Sequence, residues 1–327
     1  MLQLITDFPN HLLHAAAICS KAQLKSHTNQ INNVLITGLG GSGIGGSIVA
    51  DYAAKHSQVP ILVNKDYHIP AFVNKNTLVI ACSYSGNTEE TLMAMAESLE
   101  AGAQVAIVTS GGMILERAKQ AGLNAIVVPG GNPPRSMLGY SLVALMHYMR
   151  FYNILQTQPV EDWQTLANYL LHDQATMQEQ SKQLAEKIAH KTVAVYAASG
   201  MAGIATRWRQ QLNENAKVVG WDAAVPEMNH NELVGWAGGN NNHAAIFLRS
   251  NHDYSRNQTR MDISKEIILR KTDLVFDIWA KQNTSWAEAL YLIHWGDWLS
   301  YYLHEIHQVD IMDIVVIDYL KNELSKI

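Results

Sequence analysis

Gly38-Leu39-Gly40-Gly41-Ser42-Gly43-Ile44-Gly45-Gly46-Ser47 follows the apolar run Val34-Leu35-Ile36-Thr37. Ser83-Tyr84-Ser85-Gly86-Asn87-Thr88-Glu89-Glu90 follows a second such run, Thr77-Leu78-Val79-Ile80-Ala81-Cys82. Each turn stands where a strand gives way to a helix. Glycines let the backbone approach a ligand closely, and the helix that follows presents unpaired N–H groups at its positive dipole end. Gly41 and Ser42 from the first turn, with Ser83, Ser85 and Thr88 from the second, add close backbone and short hydroxyl donors. Donors converging from neighbouring strand ends form a socket for a phosphate group, in the crevice beyond the carboxyl edge of a parallel sheet.

Outward from these turns the pattern repeats. Ile61-Leu62-Val63, Val105-Ala106-Ile107-Val108 and Ile126-Val127-Val128 read as further buried strands, and residues 44–55 and 89–101 as helices. Continuous apolar strands alternating with helices predict a parallel sheet covered on both faces. Pro133-Pro134 interrupts this order, and helices are expected over 137–155 and 167–189. The second half begins again with Val193-Ala194-Val195-Tyr196 and then Ala198-Ser199-Gly200-Met201-Ala202-Gly203, a weaker echo of the first turn. Helices are expected over 202–212, 263–270, 286–307 and 315–324, and strands over 217–219, 244–248 and 274–276. The layout predicts two similar α/β domains, 1–155 and 156–327, with one large sheet as the alternative.

With 327 residues, 48% of them apolar, the chain has material for two cores. A net charge of -5 and no clustered Lys and Arg argue against a nucleic-acid partner. Cys19 and Cys82 are too few for a disulfide framework, which fits a reduced cytoplasmic setting. The first ten residues carry Asp7 and no basic run, so no secretory signal is expected. No apolar stretch is long enough to span a membrane.

Gly38, Gly40 and Gly43 also fit the dinucleotide fingerprint, with Asp66 as a late candidate for the ribose-binding acid. That motif does not require a Ser-x-Ser-Gly-x-Thr turn after the third strand, and the second turn favours a sugar or other small-molecule phosphate. No P-loop motif is present at either turn. For chemistry, Glu214 stands between Asn213 and Asn215, which can orient a carboxylate. His230 lies in the polar loop Pro226-Glu227-Met228-Asn229-His230-Asn231-Glu232 and can relay protons near neutral pH. Arg135 follows the proline pair, where a guanidinium can meet a developing anion. On its own Lys321 reads as a solvated residue of the last helix. Glu227, His230 and His243 lack a metal-ligand spacing, so no metal is expected.

Taken in order, Gly40 to Gly46, Ser83 to Glu90, Pro134-Arg135, Glu214-Asn215, Asn229 to Glu232, Gly296-Asp297 with Ser300 and Tyr301, and Tyr319-Leu320-Lys321 resemble the bifunctional phosphoglucose/phosphomannose isomerase family, built from sugar isomerase (SIS) domains. The resemblance spans nearly the whole chain. It implies two flavodoxin-like SIS domains and reversible aldose–ketose isomerisation of glucose 6-phosphate and fructose 6-phosphate, without a cofactor. By the same resemblance Glu214 moves the proton between C1 and C2, His230 and Lys321 assist ring opening, and Arg135 stabilises the enediol(ate). Gly41, Ser42, Ser83, Ser85 and Thr88 would hold the phosphate. A homodimer is implied, with His230 reaching the site across the interface. Val309-Asp310-Ile311-Met312-Asp313-Ile314 lacks the prolines and threonine of related chains, which leaves mannose 6-phosphate as a second aldose open. A regulatory protein that binds phosphosugar without turnover is the alternative, although no DNA-binding helical domain is evident.

Overall fold

The computed structural model describes residues 1–26, 29–155 and 162–326. Helices α1 (Leu2–Thr6) and α2 (Phe8–Lys21) lead into β1 (Asn33–Thr37), α3 (Gly40–Ala53), β2 (Ile61–Asn64), β3 (Thr77–Ser83) and α4 (Glu89–Glu100). Then come β4 (Gln104–Thr109), α5 (Gly112–Ala121), β5 (Asn124–Val127), α6 (Leu138–Phe151) and the long α7 (Trp163–Ile188). The second half holds β6 (Thr192–Ala198), α8 (Ala202–Ala216), β7 (Gly220–Val225), the short α9 (Glu232–Gly235), β8 (His243–Arg249), α10 (Ser255–Ile268), β9 (Val275–Trp279), α11 (Ser285–His307) and α12 (Val315–Leu324).

These strands form two separate parallel sheets, ordered β2-β1-β3-β4-β5 and β7-β6-β8-β9, so a single large sheet is excluded. Each begins with its first strand inside and its second at one edge, then winds outward the other way. The order therefore reverses between β1 and β3, and again between β6 and β8, which makes two crevices at carboxyl ends. The interior strand β3 is buried along its whole length, as its unbroken apolar run predicts. The expected boundary at 155/156 adjoins residues 156–161, which lie outside the described residues.

The largest apolar cluster fills the space between the two sheets. It draws Ile36 and Ile44 from the first half, Trp208 from α8 and Trp295 from α11. The indoles of Trp208 and Trp295 stack with centroids 5.3 Å apart, a pairing worth about 0.5–1.5 kcal/mol beyond its buried area. Helix α3 crosses α8, and α11 lies against both α7 and α8. Smaller clusters cover the outer faces of the first sheet, around Val79 and Ile107, and of the second, around Tyr196 and Phe247.

Several sequence expectations need correction. Helix α3 starts at Gly40, not at residue 44, so the glycine run is itself the helix's first turns. The strand expected at 217–219 is absent, because α8 continues through Ala216 and stops at Lys217 in the left-handed region at φ 55°. Its place is taken by β7, three residues later, an edge strand whose half-buried Trp221 and Asp222 dilute the apolar signal. Glu214 thus lies in the last turn of α8 rather than after it. Helix α10 begins at Ser255, eight residues before its expected start, and α7 begins at Trp163 behind Asp162, whose carboxylate accepts the Thr165 N–H at 2.9 Å.

Candidate active site

The first crevice is made by the two turns that dominate the sequence. A Cβ on Gly43 would lie 2.2 Å from the Gly38 carbonyl oxygen, so the strand-to-helix turn closes only around a glycine. Ser42 then bridges to the second turn: its Oγ accepts the Tyr84 N–H at 2.9 Å. Ser83 is fully buried and its hydroxyl donates to Thr88 Oγ1 at 2.9 Å while accepting the Gly86 N–H at 3.1 Å. Ser85 is exposed at the lip, where its Oγ accepts the Asn87 N–H at 3.3 Å. No side chain caps α3 at Leu39 or α4 at Thr88. Two helix N-termini and three hydroxyl groups, those of Ser42, Ser85 and Thr88, therefore converge on one crevice, with Ser83 ordering the turn beneath them.

Arg135 connects this crevice to the second half. A Cβ on Gly41 would sit 3.0 Å from the Arg135 nitrogen, so the loop carrying Arg135 rests directly on the start of α3. The side chain is 3% exposed and reaches across to α8. Its Nε donates to Asn215 Oδ1 at 2.7 Å, its Nη1 meets Glu214 Oε2 at 3.4 Å, and its Nη2 donates to the Ile311 carbonyl at 2.5 Å. Burial draws the Arg135 pKa down and the Glu214 carboxylate opposes that shift. Glu214 keeps 29% of its side chain accessible, so its carboxylate borders open space beside a buried cation.

The departing segment 309–314 lies against the same group. Besides the Ile311 carbonyl on Arg135, the Asp313 carbonyl accepts Lys217 Nζ at 2.9 Å, and Lys217 Nζ also donates to the Glu214 carbonyl at 2.7 Å. Asp310 Oδ1 folds the turn by accepting the Met312 N–H at 2.8 Å.

His230 and Lys321 are placed differently. His230 ends the short turn Glu227–His230 and is exposed, and Lys321 is exposed on α12, a helix with no buried residue. Neither has a hydrogen bond or ion pair to Glu214 or Arg135 among the described residues. Beneath the His230 loop, Glu232 accepts from Tyr196 and from Trp221 Nε1, the latter at 2.5 Å, and Trp236 Nε1 donates to Tyr196 at 2.9 Å. The loop thus stands on a fixed polar base. Under the dinucleotide reading Asp66 would face a ribose; here its Oδ1 accepts the Tyr67 N–H at 2.7 Å.

Sequence reasoning did not single out Lys217, Arg207 or Gln211 around this site. Arg207 is buried and donates to the Arg135 carbonyl at 2.7 Å and to Asp297 Oδ1 at 3.0 Å. The signal was available: Arg207 and Gln211 stand four apart on a helix otherwise facing the core, a spacing that puts both on one face.

Residues 177–324 match the family described as the bacterial phospho-glucose isomerase C-terminal SIS domain, and residues 28–146 match the SIS domain. A bifunctional phosphoglucose/phosphomannose isomerase of Caldicellulosiruptor bescii is 35% identical, covering 100% of this chain and 99% of that protein. The chain belongs to the bifunctional phosphoglucose/phosphomannose isomerase family. A family member from Aquifex aeolicus is 33% identical over 90% of both chains. The fold is also that of the C-terminal domain of glucosamine-fructose-6-phosphate aminotransferase from Francisella tularensis, with a TM-score of 0.79 at 15% identity, covering 95% of this chain and 97% of that one. The expected SIS architecture therefore holds for both halves of this isomerase-family chain. Among the described residues no helix is long and apolar enough to cross a membrane.

Proposed function

We propose that this chain interconverts fructose 6-phosphate with glucose 6-phosphate, and with mannose 6-phosphate, through a 1,2-enediol(ate). Membership of the family supports the reaction class. The observation that carries the residue assignment is the continuous path from the Gly41 backbone to Arg135 and on to Glu214. It sets a buried cation and an accessible carboxylate beside the crevice that would take the phosphate.

In this reading Ser42, Ser85 and Thr88 bind the phosphate with the N–H groups opening α3 and α4, and Ser83 and Gly41 shape that socket. Holding the phosphate fixes the distant carbons and lowers the entropic part of the barrier. The Glu214 carboxylate takes the proton from C2 of the open aldose. Electrons move toward the carbonyl oxygen at C1, giving the enediolate. The proton on O2 passes to O1, and Glu214 returns its own proton to C1 as the C2 oxygen becomes the ketone, so the overall change is neutral. Arg135 faces the oxygen that carries negative charge between these steps.

His230 and Lys321 open the ring in this scheme, His230 arriving from a second copy of the chain. Support for a homodimer comes from the exposure of His230 and from α12, where Val315, Val316, Tyr319 and Leu320 are each more than half exposed. Buried free Cys19 and Cys82 fit a cytoplasmic enzyme.

Assay of fructose 6-phosphate with chelator present, scoring both aldoses, tests the reaction. Glu214→Gln should keep sugar-phosphate binding and lose about 10²- to 10⁴-fold in kcat; unchanged turnover would remove Glu214 as the base. Mixing inactive Glu214→Gln with inactive His230→Ala should restore part of the activity through hybrid dimers. No recovery from a verified hybrid would reject the crossed site.

A further inference from the structure

We infer that Asp297 is a positioning residue for isomerisation, acting through Arg135 rather than on the sugar; this rests on the reaction proposed above. Asp297 lies within α11, 5% exposed. Its Oδ1 accepts from Arg207 Nη2 at 3.0 Å and from Gln211 Nε2 at 2.8 Å, both on α8. Arg207 passes the constraint to the first half by donating to the Arg135 carbonyl at 2.7 Å. The second arm starts one turn along α11. Ser300 Oγ donates to the Asp297 carbonyl at 2.8 Å and accepts from Asn215 Nδ2 at 3.0 Å. Asn215 in turn accepts Arg135 Nε at 2.7 Å.

One carboxylate and its neighbouring hydroxyl thereby hold Arg135 at both ends, backbone and guanidinium. The same helix turn fixes Asn215, the residue after Glu214. Arg135 rests on Gly41 at the phosphate crevice, so this network sets the distance between phosphate socket and base. Both arms are buried, where a hydrogen bond to an ionised group is stronger than one between neutral groups and its loss leaves a charge without its partner. Burial pushes the Asp297 pKa up, and Arg207 and Gln211 oppose that shift. An enzyme that needs its cation within a fraction of an ångström of a developing oxyanion loses rate when such a frame loosens.

The test uses Asp297→Asn in the full-length protein, with Ser300→Ala as the milder variant if Asp297→Asn does not fold. In ligand-free protein, the Arg135 Nε–H resonance, assigned by its absence in Arg135→Lys, should exchange slowly in wild type and fast in Ser300→Ala, which frees Asn215. With fructose 6-phosphate, Asp297→Asn should lower kcat about 10- to 100-fold and Ser300→Ala about 3- to 10-fold, with KM within about twofold. In the Arg135→Lys background Ser300→Ala should lower kcat by less than about threefold, because the guanidinium that its arm holds is gone. The Arg207 arm ends on the backbone carbonyl of residue 135, which Arg135→Lys keeps, so Asp297→Asn should still lower kcat there. An unchanged Nε–H resonance in Ser300→Ala, equal Ser300→Ala losses in both backgrounds, or a rise in KM at constant kcat would overturn the inference. A wild type that turned over no sugar phosphate, with the resonance still responding, would refute the proposed reaction and leave the frame standing.

Discussion

The two sheets reverse their strand order in the same way, yet their crevices are opposite in kind. At the first, α3 and α4 begin without side-chain caps and hydroxyl groups line the space. At the second, α8 begins behind Ser199–Met201 and its Gly203 N–H is already taken, at 2.6 Å, by the carboxylate of Asp51 from α3. The anion position of the second crevice is filled by the first domain itself. The small cleft beside it is lined by Asp51, Lys55, His252 and Asp253. Behind it Glu288, fully buried, accepts from Ser250 and from the Asn251 N–H at 3.1 Å, and pairs with His252 Nδ1 at 2.9 Å. One architecture used twice thus yields one open socket and one interdomain weld.

The strongest way to break this contrast is to make the first crevice resemble the second. Ser42→Asp puts a carboxylate on the first turn of α3. It should lower kcat/KM for fructose 6-phosphate about a hundredfold or more, since facing like charges cost several kcal/mol. The far-ultraviolet circular dichroism should be unchanged. Steady-state kinetics near wild-type values would show that the phosphate lies elsewhere.

The converse change empties the second crevice. Asp51→Ala frees the Gly203 N–H at the start of α8, and millimolar inorganic phosphate should then raise the melting temperature of the variant by a few degrees beyond its effect on wild type. The kcat of the variant should stay within about twofold of wild type. Equal phosphate responses would mean that the carboxylate is not what closes this end.

A subtler change keeps the shape and removes only the charge. Burial raises the Asp51 pKa to about 6, with the Gly203 N–H and Lys65 opposing the shift; it raises Asp253 to about 6 as well, with Glu288 adding to the shift. A carboxyl group with a raised folded-state pKa adds stability below its unfolded value near 4, and that contribution is lost as pH climbs through 6. Asp51→Asn should therefore melt with wild type below pH 4 and about 2–4 °C above it beyond pH 7. Melting curves that stay parallel from pH 4 to pH 8 would contradict the assignment of Asp51 as the titrating group.

Much of this was legible in the chain. The glycine run, the Ser83–Glu90 turn and the continuous apolar strands fix the first sheet, because each local signal agrees with its tertiary use. The second domain was harder to read where local and tertiary demands part. The half-buried edge strand β7 has little apolar signal, so the nearby Lys217-Val218-Val219 drew the strand assignment although Lys217 ends a helix. Helices α1, α2 and α5 carried no motif that singled them out. At the site, Arg135 and Glu214 were named separately, yet their pairing depends on 79 residues of intervening chain folding back. The weld at Asp51 was not legible at all. An aspartate late in a helix has no local mark of capping another helix 152 residues away.

A pair of serines gives the finest comparison. Ser85 follows β3 at the first crevice and Ser199 follows β6 at the second, and both are exposed. Among the described residues Ser85 Oγ has one hydrogen bond, accepted from the Asn87 N–H at 3.3 Å; in the proposed reading its own hydrogen goes to the phosphate. Ser199 Oγ instead donates to the Val225 carbonyl at 3.0 Å, tying β6 to the end of β7. Ser85→Ala should then raise KM for fructose 6-phosphate about 3- to 10-fold at nearly constant kcat, the loss of one hydrogen bond to an ionised group. Ser199→Ala should leave both constants alone and lower the melting temperature slightly. If both alanines moved KM alike, the two crevices would share the substrate, and the division between socket and weld would be wrong at its smallest part.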